Sequence, residues 1–223
     1  MLKAKIVEVF SSIQGEGLYI GQVQTFVRFY GCNTDCGFCD EKTKNRFREY
    51  SAQELIKAIV KENNKTVSFT GGEPLLYAGF LKEALPQLRK KGFLAYLETN
   101  GILKNKLLEI IDFLDIISMD IKLPSSTGCR AYWKAHADFL EEAARKEVFV
   151  KSVITNKTLL ADVKKAVSII EKVSKDIFFI LQPVTIDNKI QGIKSARDFL
   201  DMANTRLNNV RLIPQVHKIL ELR

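Results

Sequence analysis

The chain has 223 residues, 46% hydrophobic and 27% charged, which is the make-up of a globular protein of one domain. No apolar run approaches the ~18 residues of a spanning helix, Pro and Gly are too few for disorder, and Met1 to Lys5 leads into an alternating strand, not a signal-peptide core. The 34 Lys and Arg against 26 Asp and Glu leave a formal charge of +8; this suits an anionic small molecule as well as nucleic acid, although aromatic residues are not interleaved with the basic ones as base stacking requires.

In chain order, Lys3–Phe10 and Val23–Phe29 alternate and predict strands. Ser51 with Glu54 three residues on has the capping-box pattern, and Leu55, Ile56, Ile59 and Val60 give the following helix its apolar face. Strand and helix then alternate: Thr66–Thr70 and Gly79–Lys91, Phe93–Glu98 and Lys104–Phe113, Asp115–Ile121 and Tyr132–Lys146, Val148–Ile154 and Leu159–Val173, Ile177–Leu181 and Ser195–Leu207. Asn209–Ile213 is a last strand, with a helical tail after Pro214. No linker divides the chain, so residues 1–223 are expected to form a single domain. Such alternation predicts an α/β fold of parallel strands with helical crossovers. It does not separate a barrel from an open sheet, but in both the functional residues gather at the carboxyl ends of the strands. There the chain has Gly31–Asp40, Thr70–Pro74, Thr99–Gly101, Asp120 with Lys122, and Gln182 with Pro183.

Three of the four cysteines, Cys32, Cys36 and Cys39, fall on one predicted loop with the spacing C-x3-C-x2-C. Three thiolates there suit three irons of a [4Fe–4S] cluster, which leaves the fourth iron without a ligand from the loop. The other reading is a zinc knuckle, which wants a fourth Cys or His nearby. His136, His217 and Cys129 are all distant in sequence, and Cys129 reads as a spare thiol. In Thr70-Gly71-Gly72-Glu73-Pro74 the glycines let backbone approach a ligand, Glu73 offers an acceptor for a cationic amine, and Pro74 suits a helix start. Gly15, Gly17 and Gly21 are spaced G-x-G-x3-G, which excludes the dinucleotide fingerprint.

With Phe38 just before the last cysteine of the motif, and Thr70–Pro74 following in order, the chain resembles the radical S-adenosylmethionine superfamily. The resemblance implies a partial, trimmed parallel β/α barrel. It also implies that Cys32, Cys36 and Cys39 hold a [4Fe–4S] cluster whose fourth iron is chelated by S-adenosylmethionine. Cleavage of that cofactor yields a 5′-deoxyadenosyl radical, which abstracts hydrogen from a substrate.

Glu8 to Gly17, then Gly21, Phe26-Val27-Arg28 and Gly31-Cys32-Asn33, together with the tail Val210 to Lys218, resemble the 7-carboxy-7-deazaguanine synthase family. That family contracts the ring of 6-carboxy-5,6,7,8-tetrahydropterin to 7-carboxy-7-deazaguanine with loss of ammonia, on the route to queuosine or archaeosine. S-adenosylmethionine is regenerated and Mg²⁺ assists. By this resemblance Ile13, Gln14, Gly15 and Glu16, in a substrate loop at about residues 11–22, line the pterin. Arg28 grips its carboxylate, and Thr70, His217 and the main-chain terminus of Arg223 also reach substrate. The cofactor is met by the main chain of Phe38, by Gly72, Glu73 and Gln182, and by Ser118, Met119, Asp120 and Lys122. Here the family's Ser-Pro-Lys is replaced by Ser118-Met119-Asp120-Ile121-Lys122, which displaces the lysine. In the cluster loop, at about residues 31–45, Asp40-Glu41 stands where the family has Asp then Thr or Ser, so Glu41 is the expected magnesium ligand.

The resemblance further implies a homodimer; an external electron donor such as flavodoxin or ferredoxin is expected, with no membrane or direct nucleic-acid partner, and the lack of a targeting signal together with an oxygen-sensitive cluster predicts a cytoplasmic site of action. Two other readings remain. Met119-Asp120-x-Lys122 is also found in glycyl-radical activases, whose partner is a protein, but Gln14, Glu16 and Arg28 argue against it. A zinc-bearing, basic RNA-binding module suits the charge but not the glycine turn or the β/α pattern.

Overall fold

The structure is a computed structural model that describes residues 2–39, 46–186 and 189–222. The chain opens with β1 (Lys3–Ile13), β2 (Val23–Phe29) and β3 (Arg48–Ser51). Strands and helices then alternate: α1 (Ala52–Glu62), β4 (Thr66–Gly71), α2 (Ala78–Lys90), β5 (Leu94–Thr99), α3 (Lys104–Leu108), β6 (Ile116–Asp120), α4 (Pro124–Thr127), α5 (Trp133–Ala143), β7 (Glu147–Ile154), α6 (Leu160–Val173) and β8 (Phe179–Pro183). A hairpin of β9 (Thr185–Ile186) and β10 (Lys189–Ile190) follows, then α7 (Ala196–Asn204), β11 (Val210–Leu212) and α8 (Val216–Ile219).

Nine strands form one sheet in the order β11-β8-β7-β6-β5-β4-β2-β1-β3. Every pairing from β2 to β11 is parallel, as the alternation predicts. The sheet ends at β11 and β3, so the barrel is partial. Its other end departs from the expected pattern, because β1 is antiparallel to both β2 and β3. A loop without a crossover helix joins β1 to β2, and such a loop reverses the chain; a parallel return needs a helix. The short edge strand β3 and the β9–β10 hairpin have too little periodicity to be read from sequence.

The capping box is present: the Ser51 N–H donates to Glu54 Oε2 at 2.9 Å and the Glu54 N–H donates to Ser51 Oγ at 3.4 Å. Leu55, Ile56 and Ile59 are buried, whereas Val60, expected on the same face, is exposed. The helix expected over Lys104–Phe113 is α3 followed by a separate 3-10 turn at Ile111–Phe113.

The two faces of the sheet do different work. Facing the helices are Val27, Phe29, Val67, Phe69, Leu97, Ile117, Met119, Val150 and Leu181, packed with Leu55, Leu81, Phe139, Leu140, Val163 and Ile170. Each such side chain contributes roughly 1.5–3 kcal/mol by burial. The alternate residues face inward. Toward the amino ends these are Tyr96, Ile116, Phe149 and Ile180, a second apolar cluster. Toward the carboxyl ends they are Glu98, Asp120, Lys151 and Gln182, which line a cavity.

Strand β1 reaches both faces through a bulge. Ile6 pairs with Phe29 and Glu8 with Arg28, so Val7 is the extra residue. Ile6 stays in the core under the helices, while Glu8 and Phe10 turn into the cavity.

The loop from β1 to β2 fills the amino end of the barrel. Leu18 and Tyr19 pack on the inner apolar cluster. The Tyr19 ring meets Tyr96 edge-on at 5.6 Å, and its hydroxyl is hydrogen-bonded to Glu147. Gly17 has φ +71°, and a Cβ there would lie 2.5 Å from the Phe149 ring. Gly21, with φ +87°, has open space around it. In urea denaturation Gly17→Ala is therefore expected to cost about 2–4 kcal/mol, from left-handed strain plus overpacking, and Gly21→Ala only the ~1–2 kcal/mol of strain. Equal losses at both positions would remove the argument for a packed floor.

Candidate active site

The inward polar residues, the loop at 13–16, the cysteine loop and the tail at 215–222 enclose one cavity of about 780 Å³, within the ~300–1,000 Å³ usual for small-molecule sites.

At one side the cysteine loop and the glycine turn meet backbone to backbone. The Gly72 N–H donates to Phe29 O at 3.0 Å and the Glu73 N–H to Gly31 O at 2.8 Å. A Cβ on Gly72 would lie 1.9 Å from Gly31 O, so no other residue fits there. Cys32, Cys36, Cys39 and Phe38 all line the cavity. Thr34 Oγ1 lies 3.2 Å from Cys32 Sγ and 3.8 Å from Cys36 Sγ, and Asn100 Nδ2 is 3.8 Å from Cys32 Sγ. Among the described residues the thiols share this wall without forming a ready-made metal cage. Cys129 is not apart from them, as its sequence position suggests: its Sγ is 3.8 Å from that of Cys36.

Glu73 is fully buried. Its carboxylate accepts from the Leu75 N–H at 3.0 Å, the Asn100 N–H at 2.8 Å and Thr99 Oγ1 at 2.9 Å. Burial pushes this carboxyl up to about 7 in spite of those donors. In this structure Glu73 thus ties the glycine turn to the end of β5, while Gly72, Thr99 and Asn100 form the cavity wall. Of the run Ser118 to Lys122, Asp120 and Lys122 reach the cavity. Ser118 is buried and hydrogen-bonded to Tyr96, and Met119 packs on the other face of the sheet, against Gly101.

The cavity is also lined by a charged network. Lys151 is ion-paired with Glu16 and lies 3.5 Å from Asp120, and Lys122 Nζ donates to Asp120 Oδ2 at 2.9 Å. Burial alone raises the Glu16 carboxyl, but the Lys151 ammonium, the Gln215 amide and His217 outweigh it and hold Glu16 down at about 2. Burial lowers Lys151, yet Asp120, Glu16 and Glu98 together raise it well above the ordinary lysine value. Glu98 accepts from Gln14 Nε2 at 2.8 Å and from Thr70 Oγ1 at 2.7 Å. Arg28 Nε donates to Glu8 at 2.9 Å, and its guanidinium lies 5.6 Å from the Phe10 ring centroid.

The tail closes over this network. The Val216 N–H donates to Gly15 O at 2.8 Å and Gln215 Nε2 to Glu16 at 2.6 Å. A Cβ on Gly15 would lie 2.1 Å from His217 Nδ1. Ile13, Gln14, Gly15, Glu16, Arg28, Thr70, Gln182 and His217 all line the cavity. Asp40, Glu41 and Arg223 lie outside the described residues.

Sequence reasoning assigned no role to Glu8, Glu98, Lys151 or Gln215. A usable signal existed for two of them: Glu98 and Lys151 are charged residues two positions on from Tyr96 and Phe149 in mostly apolar strands.

Among the described residues, four buried side-chain atoms have no hydrogen-bond partner: Asn100 Oδ1, Asp120 Oδ1, Gln182 Oε1 and Thr185 Oγ1. All four residues line the cavity. Uncompensated burial is unfavourable, and together with soft thiols these acceptors fit a ligand with amino and hydroxyl donors bound beside an iron–sulfur cluster.

His136 joins two of the loops that frame the cavity. It is fully buried; the Lys122 N–H donates to its Nε2 at 3.2 Å, and its Nδ1 is 3.1 Å from Gly101 O. Burial lowers its pKa to about 4, from 6.5. The unfolded imidazole therefore gains its proton near pH 6.5 and the folded one only near pH 4. Wild type should lose stability relative to His136→Gln as pH falls through that interval, by up to about 1.4 kcal/mol per pH unit. A difference constant with pH would count against a neutral buried imidazole. Lys151→Met should cost about 3–5 kcal/mol by stranding Glu16 and Asp120, and the added Glu16→Gln change should recover part of that loss in denaturant titrations.

The radical SAM superfamily model matches residues 26–156. A 7-carboxy-7-deazaguanine synthase of Geobacter sulfurreducens is 39% identical, with 97% of each chain covered. The protein of that name from Methanocaldococcus jannaschii is 34% identical over 96% of this chain and 98% of its own. Among solved structures, QueE from Escherichia coli matches with a TM-score of 0.67 and 20% identity, covering 96% of this chain and 95% of that one. TYW1 with a lysine–pyruvate adduct bound matches with a TM-score of 0.57 and 15% identity over 83% and 73%. These two likenesses are of fold.

Proposed function

Because the chain belongs to the 7-carboxy-7-deazaguanine synthase family of the radical SAM superfamily, we propose that it converts 6-carboxy-5,6,7,8-tetrahydropterin to 7-carboxy-7-deazaguanine with release of ammonia. The observation that supports this most is that a single cavity is lined both by the three thiols and by Gln14, Glu16, Arg28 and Thr70. A cofactor and a small polar substrate can therefore meet inside it.

In this reading Cys32, Cys36 and Cys39 hold the [4Fe–4S] cluster. With S-adenosylmethionine bound, the cluster supplies the radical that abstracts a substrate hydrogen. The remaining roles belong to the protein. Asn100, Asp120 and Gln182 offer the unpartnered acceptors of the cavity to amino and ribose donors. Lys122 presents its ammonium to a carboxylate, and the main chain of Phe38 and Gly72 lies against the cofactor.

On the substrate side, Glu8 and Phe10 set the plane of the Arg28 guanidinium, which grips the pterin carboxylate. Glu98 orients the Gln14 amide and the Thr70 hydroxyl. Glu16, held ionised by Lys151, accepts from the pterin ring. His217 and the tail shut the loop at 13–16 against water. We extend the proposal to Mg²⁺ on Glu41, an electron donor of the flavodoxin or ferredoxin type, a homodimer, and a cytoplasmic site of action. No described helix is long and apolar enough to cross a membrane.

The test is anaerobic turnover of the chain reconstituted with iron and sulfide, given S-adenosylmethionine, a reductant and the pterin, with and without Mg²⁺. Mass spectrometry should find the deazaguanine acid, and Mg²⁺ should raise the rate in wild type more than in Glu41→Ala. Arg28→Gln should lower kcat/KM roughly 10–100-fold, the worth of a charge-assisted contact of about 1.5–3 kcal/mol. Reductive cleavage of the cofactor with the pterin left intact would keep the superfamily chemistry and reject this substrate.

A further inference from the structure

We propose that Cys36 and Cys129 form a redox pair, a dithiol that closes to a disulfide whenever Cys36 holds no metal. The pair joins segments 93 residues apart, with the two sulfurs 3.8 Å from each other. Backbone contacts on both sides hold them there. The Gly37 N–H, next to Cys36, donates to Thr127 O at 2.8 Å, and the Cys39 N–H donates to Cys36 O at 3.2 Å. The Thr127 hydroxyl donates to Leu123 O at 2.9 Å and accepts from the Cys129 N–H at 3.1 Å. Gly128, with φ +74°, turns the chain out of α4 so that Cys129 faces the cysteine loop. A bond of ~2.05 Å then asks for a sulfur movement of under about 2 Å, within the reach of side-chain rotation.

Cys36 is buried and Cys129 only half-buried, so an oxidant meets Cys129 first. With a small-molecule disulfide as oxidant, the Cys129 sulfur attacks one of the reagent's sulfurs. A mixed disulfide forms and one reagent thiol leaves. Cys36 Sγ then attacks the Cys129 sulfur, the protein disulfide forms and the second reagent thiol leaves. Two protein thiols are oxidised by two electrons, the reagent's disulfide is reduced to two thiols, and both protons end on those thiols. The site thus caps a loop cysteine against further oxidation and blocks its use as an iron ligand until a reductant reopens it. Only this last consequence rests on the proposed role of Cys36 in cluster binding.

The experiment takes the full chain, stripped of metal and reduced, and exposes it anaerobically to oxidised glutathione. Free thiols are then alkylated and the peptides mapped by mass spectrometry. The expected product has lost the mass of two hydrogens and carries a Cys36–Cys129 cross-link, with Cys32 and Cys39 outside it. Cys129→Ser and Cys129→Ala should lose the cross-link and carry glutathione on the remaining cysteines. Cross-links confined to Cys32, Cys36 and Cys39, or a Cys129 that is fully alkylated after oxidation, would overturn the proposal. In a second arm the cross-linked chain is offered iron and sulfide and the cluster absorption is followed. No absorption before a reductant is added, and recovery after it, supports the block on Cys36. Full absorption with the cross-link intact rejects that block and the cluster role of Cys36, while leaving the redox pair standing on the peptide map.

Discussion

The arrangement of the cavity depends on the buried ammonium of Lys151. It sits on β7, between apolar and small neighbours, and is paired with Glu16 from the loop after β1 and with Asp120 at the end of β6. A buried charge is tolerated only when it is paired and hydrogen-bonded, so Lys151 requires both carboxylates to be in place. Through Glu16 it also orders the tail, since Gln215 donates to the same carboxylate. One cation thus draws together segments from both ends of the chain and from its centre.

The sheet makes this possible by dividing its inner face along the strand axis. Near the amino ends, Tyr96, Ile116, Phe149 and Ile180 are closed off by Leu18 and Tyr19. Further along each strand the inward residues are polar, at Glu98, Ser118 and Asp120, Lys151 and Gln182. The apolar floor lowers the effective dielectric beneath the charged network, which strengthens the ion pairs above it. The same loop that plugs the floor carries Gln14, Gly15 and Glu16 into the cavity, so packing and binding are set by one segment.

Where the cysteine loop meets the glycine turn, contact is made by backbone. Gly72 touches Gly31 so closely that a methyl group has no room, and Glu73 holds the end of β5 through Thr99 and the Asn100 N–H while accepting from the Leu75 N–H of its own turn. The cysteine loop is therefore seated on a rigid turn. Cys129 comes to Cys36 by the same kind of fit, through Thr127 and Gly37. The residues that bear the thiols and those that bear the charges line the same cavity, and His136 ties the loop of Lys122 to the loop after β5.

Much of this was legible in the residues alone. The alternation of Thr66–Thr70, Phe93–Glu98 and Val148–Ile154 with amphipathic helices predicts parallel strands, because periods of 2 and 3.6 are local consequences of backbone geometry. The cysteine spacing and the glycine turn are local as well, and both stand on the cavity wall. What the sequence could not show is which distant residues meet. The bulge at Val7 turns Glu8 toward Arg28, against the period that keeps Ile6 in the core. The antiparallel course of β1, the reach of Gln215 to Glu16 and the approach of Cys129 to Cys36 arise only when the sheet curls and its loops pack. Short-range order follows from side-chain periodicity and capping, which neighbouring residues determine between themselves. Pairing across the barrel follows from burial and charge compensation, which exist only once the tertiary structure has formed.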